Sequence, residues 1–181
     1  MTHQVVRALP IKRAMALALE LATAFLPTFE ELNPQLTWVR DWINAAQKLE
    51  RIDYSQHSFA IWADYEGDEA SKAYLDGIRS LDAALYVQRA VDTNYHNIGA
   101  AIHAFAGAFL EVEMRQYDAA VITAHHAAFD ESAPMSEDER YECLMAFRAS
   151  PTRKRFTERF WNDLADKIAA QDLEENGGAN T

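Results

Sequence analysis

The stretch Asn97–Glu113 constrains the fold more than any other feature of the chain. In NIGAAIHAFAGAFLEVE, Ile98, Ile102, Phe105, Phe109 and Val112 step by four, three, four and three. That stepping marks one face of an α-helix. The other faces carry Gly99, Ala100, Ala101, Ala104, Ala106, Gly107 and Ala108. A helix that is apolar or small all round is a central one, and its small residues let neighbours come close. No stretch of the sequence sustains period-two alternation, so strands are not expected. The expected fold is all-α: a single-domain bundle of about seven or eight helices over residues 1–173, with 174–181 as a frayed tail.

The other helices follow from their stops and starts. Pro10 opens the first, since proline suits the first turn, and Leu17, Leu21, Ala24 and Phe25 line it. Pro27 is expected to end or kink it, with Thr28 and Glu31 forming a capping box for the turn beyond. After Asn33-Pro34, a helix from Leu36 to about Arg51 sets Trp38, Trp42, Ala45, Ala46 and Leu49 on one side. A short helix is expected over 55–65, ended by Gly67. Asp68 can cap the next, roughly Glu69 to Val91, in which Tyr74, Ile78, Leu81 and Leu85 recur at helical spacing. Ser136 and Glu139 form a second capping box, and Ser150-Pro151 opens the last helix, which runs to about Asp172.

Composition narrows the class. At 181 residues and 49% hydrophobic, the chain can bury a core without cross-links. The one cysteine, Cys143, excludes an internal disulfide and a cysteine-built zinc site. Glu142 beside it opposes thiolate formation, so Cys143 reads as structural. The net charge is −11, and residues 52–150 hold six basic and seventeen acidic side chains. That balance argues against general nucleic-acid and anionic-membrane binding; the acidic segment reads either as a solvated face that aids solubility or as a surface for a positive partner. The apolar run Ala14–Leu26 is too short to span a bilayer and contains Glu20. No small-residue cleavage site follows it, so a cytoplasmic location is expected. Oligomeric state is left open.

Chemistry-bearing motifs are missing: there is no phosphate loop, nucleophile elbow or His-Glu-x-x-His. His96 and His103 lie two turns apart and cannot share a metal on one helix. His125 and His126 are adjacent and point about 100° apart. A metal set of His103, His126 and Glu111 from different helices is conceivable, with a core histidine bonded to a backbone carbonyl as the simpler reading. No cofactor or metal is expected.

Phe59–Tyr74 is the most suggestive surface stretch. It interleaves Trp62, Tyr65 and Tyr74 with Asp64, Glu66, Asp68 and Glu69. Aromatic anchors ringed by charge are the makings of a protein-binding hot spot. The plainer reading turns the aromatics inward and leaves the acids in water.

Two segments resemble a known family. LALELATAFLPTFEELNP followed by WVRDW, and then LDAALYVQRAVD with NIGAAIHAFAGAFLE, are similar to helices of the immunity-protein-five group of bacterial immunity proteins. The resemblance implies an all-helical protein that neutralises a partner toxin by binding it. It transfers no catalytic residue. The expected function is therefore an acidic binding protein that neutralises or sequesters a basic protein partner, rather than an enzyme. The contacts expected are Trp62, Asp64, Tyr65, Glu66, Asp68, Glu69 and Tyr74. The alternatives are a helical enzyme or metal-binding protein using His103, His126 and Glu111, and an acidic mimic of nucleic acid.

Overall fold

The computed structural model describes residues 6–48, 65, 67–86, 91–117, 119–130, 132 and 134–177. Among them are seven α-helices and no strand. They are α1 (Ile11–Leu32), α2 (Trp38–Gln47), α3 (Glu69–Tyr86), α4 (Val91–Tyr117), α5 (Ala119–Phe129), α6 (Glu137–Ala149) and α7 (Pro151–Gly177). The all-α expectation holds. No helix among the described residues is long and apolar enough to cross a membrane. The chain divides into two compact units, Met1–Phe109 and Leu110–Thr181, with the boundary inside α4.

In the first unit α1 packs on α2 and α3. Its core gathers Phe25, Phe29, Trp42, Ile43, Tyr74, Ile78, Leu81, Ile98, Ile102 and Phe105, all essentially inaccessible to solvent. Tyr74 is the hub. Its ring lies 5.0 Å from Phe25, 4.9 Å from Phe29 and 5.6 Å from Phe105. Its hydroxyl donates to the Ala22 carbonyl at 2.7 Å, and burial pushes its ionisation well above the ordinary tyrosine range. At Gly77 the Phe105 ring of α4 lies tight against α3: a Cβ there would meet Cε1 of Phe105 at 2.4 Å. Within this core Trp42 Nε1 donates to Asp82 Oδ1 at 3.2 Å.

Of the two outcomes expected at Pro27, an end to α1 does not occur. The helix runs through it to Leu32, which puts Thr28 inside the helix and not at a cap. Proline inside a helix costs about 3 kcal/mol. Burying Leu26 and Phe29 on the same face offsets that, at roughly 1.5–3 kcal/mol for each large side chain.

The connection into α3 is pinned by a polar network. Asn33 Nδ2 donates to the Phe29 carbonyl at 3.0 Å and to Ser71 Oγ at 2.7 Å, while its Oδ1 accepts from the Tyr65 hydroxyl. Asp68 caps α3 as expected, accepting from the amides of Ala70 and Ser71 at 3.0 and 3.2 Å. The helix expected over 55–65 lies outside the described residues, apart from Tyr65.

In the second unit α5 packs chiefly on α6, and α6 on α7. The Ser136–Glu139 capping box is present: Glu139 N–H donates to Ser136 Oγ at 3.3 Å, and Ser136 N–H to Glu139 Oε2 at 2.8 Å. The two bonds from Ser136 hold the Glu139 carboxyl below the usual range. The last helix extends past the expected stop at Asp172, to Gly177.

Candidate functional site

The structure uses several of the expected contact residues for folding. Tyr74 is the core hub described above and offers no surface, which corrects its assignment as a contact. Its spacing with Ile78 and Leu81 is a core spacing, and the buried hydroxyl finds its partner in the Ala22 carbonyl. Tyr65 is half-buried and holds Asn33. Asp68 caps α3 and also accepts from Ser71 Oγ at 2.5 Å. Glu69 pairs with Lys72 at 3.0 Å, one turn along α3. Trp62, Asp64 and Glu66 lie outside the described residues.

The second unit carries two features of interest. The first is an acid–histidine cluster at the hairpin of α4 and α5. Glu111, near the end of α4, has a side chain 8% exposed. One of its oxygens, Oε1, is 3.7 Å from Nδ1 of His125, and the other, Oε2, is 3.3 Å from Nε2 of His126. The three donor atoms all lie within 4.8 Å of one another. Neighbouring histidines diverge by about 100° around a helix. Here they converge because one presents Nδ1, close to its own backbone, and the other Nε2, at the far end of its ring.

Two contacts from α6 set this geometry. The His125 ring stacks on Phe147, with centroids 3.8 Å apart and planes at 17°. Arg140 Nη1 donates to the carbonyls of Ala128 at 3.1 Å and Asp130 at 2.7 Å, which satisfies the C-terminal end of α5 and ties it to α6. Of the conceivable set His103, His126 and Glu111, the structure brings the last two together and supplies His125 as the third member. His103 is exposed, and on α4 it precedes Glu111 by eight residues, about 12 Å of helix. His103 is therefore not a core histidine: it projects away from the buried face of Ile98, Ile102 and Phe105.

The second feature is the outward face of α6. Phe147 is buried and Arg140, Cys143 and Leu144 are half-buried, so these residues mark the inward side. On the opposite side Tyr141 is 64% and Met145 43% exposed. These are two of the three large apolar side chains exposed among the described residues, the third being Leu32. At i and i+4 they are neighbours on one face. Exposed Glu137, Asp138 and Glu142 flank them, with exposed Arg148 one turn further on. The acids of the first turn suit the positive end of the helix dipole; Glu142, in the second turn, does not have that explanation. No protein-family model, curated protein or solved structure matches the chain.

Proposed function

We propose that the chain is a binding module that neutralises or sequesters a basic protein partner, docked on the outward face of α6. The observation that carries this reading is the solvent-facing pair Tyr141 and Met145 with Asp138 and Glu142 beside it. An aromatic anchor and an adaptable thioether supply contact area, and they are residue types that interfaces favour. The acids around them select a positive surface, and the net charge of −11 speeds its approach. The resemblance of Leu17–Trp42 to immunity proteins extends the proposal: the partner is a bacterial toxin.

A mimic of nucleic acid would use the same charge but has no call for an apolar pair at its centre, so the α6 face favours a protein. The test is site-specific photo-crosslinking in the source cells. A photoreactive amino acid is placed at Tyr141, and as a control at exposed Asp163 on α7. Adjacent open reading frames are the first candidates for the captured protein. The proposal expects a basic protein joined from position 141 and not from 163, which then binds the unmodified chain when both are purified. Equal capture from both positions, or a captured protein that fails to bind when purified, contradicts it.

A further inference from the structure

We propose that Glu111, His125 and His126 form a binding site for a divalent transition-metal cation of the zinc class, independent of the partner face on α6. Zinc takes nitrogen and carboxylate oxygen donors at about 2.0–2.2 Å, so donors at the corners of a tetrahedron lie about 3.3 Å apart. The carboxylate oxygens already stand 3.3 Å from His126 Nε2 and 3.7 Å from His125 Nδ1. The longest separation in the set is within 4.8 Å. Calcium and magnesium demand oxygen-rich shells, which two imidazoles do not provide.

The site is also held from outside. Phe147 fixes the His125 ring by stacking, and Arg140 anchors the end of the helix that carries both histidines. Metal sites depend on such supporting contacts to keep their ligands in place. The half-exposed edge of His126, at 34%, gives the ion a way in. Three protein ligands leave a fourth position for water, the pattern of open zinc sites.

The test is titration of the full chain with Co(II), read by its visible absorption, and with Zn(II), read by calorimetry. One ion per chain is expected, with the intense visible bands of four-coordinate Co(II). His126→Ala and Glu111→Gln should each weaken binding by at least about tenfold, since loss of even a supporting contact costs about 10–100-fold. His103→Ala should leave it unchanged. The wild-type titration decides without any variant: no saturable one-to-one binding overturns the proposal. Full retention of binding in His126→Ala, or its loss in His103→Ala, overturns it equally.

Discussion

Asp82 offers a quantitative test of the first unit's core. The residue is only 6% exposed and accepts one hydrogen bond from Trp42 Nε1. Burial raises its carboxyl from 3.8 to about 6, against the opposing pull of that bond. The folded state therefore binds a proton more readily than the unfolded chain. The stability this contributes is fully present below pH 3.8 and is lost as the pH rises through about 6. The difference corresponds to about 3 kcal/mol over the whole window, of which roughly 2.5 kcal/mol falls between pH 4 and pH 8.

Asp82→Asn removes the titration and keeps an oxygen for Trp42. The added amide donors carry their own cost of about 1–3 kcal/mol, but that cost does not change with pH. The assay is urea unfolding of wild type and variant across pH 4 to pH 8, followed by far-ultraviolet circular dichroism. Effects of other titrating groups cancel in the difference. The expected result is a variant that gains about 2–3 kcal/mol relative to wild type as the pH rises through this range. A difference that stays flat with pH refutes the burial argument for Asp82.

Two further substitutions probe the same core. Gly77→Ala gains helix propensity of up to about 1 kcal/mol, yet its Cβ lands 2.4 Å from the Phe105 ring; a net loss of about 1–3 kcal/mol is expected in thermal unfolding, and a neutral or stabilising result contradicts the close approach of α3 and α4. Tyr74→Phe deletes the bond to the Ala22 carbonyl and should cost about 1–2 kcal/mol without altering the off-rate of a bound partner; an altered off-rate at unchanged stability would return Tyr74 to the interface.

Much of this fold is legible in the sequence, for physical reasons that differ by element. The stepping of Ile98, Ile102 and Phe105 reports burial directly, because a helix turns its residues by a fixed angle. Asp68 and the Ser136–Glu139 pair are local devices, each satisfying amides within its own first turn, so no tertiary knowledge is needed to place them. Pro27 defeats local reasoning because its cost is set against the burial of Leu26 and Phe29, which only packing reveals. Tyr74 carries two signals, an aromatic among acids and an apolar residue at core spacing, and packing favours the second.

The candidate sites were less legible. Tyr141 and Met145 share the spacing of any buried face, and only the choice of Phe147 as the inward residue turns them to water. His125 joins Glu111 through Nδ1, a choice of ring atom that spacing does not encode. The useful sequence signal there was the pair of adjacent histidines on a helix otherwise made of small and apolar residues.

A basic partner held on the outward face of α6 should leave a kinetic signature in the purified pair, measured for wild type and for the double variant Tyr141→Ala/Met145→Ala. Both side chains are exposed, so the folded state should survive their truncation. The double variant should raise the off-rate at least about tenfold, corresponding to about 1.4 kcal/mol, and the association rate should fall as salt screens the acids around the pair. Unchanged kinetics in the double variant, with the fold intact, would contradict docking on this face.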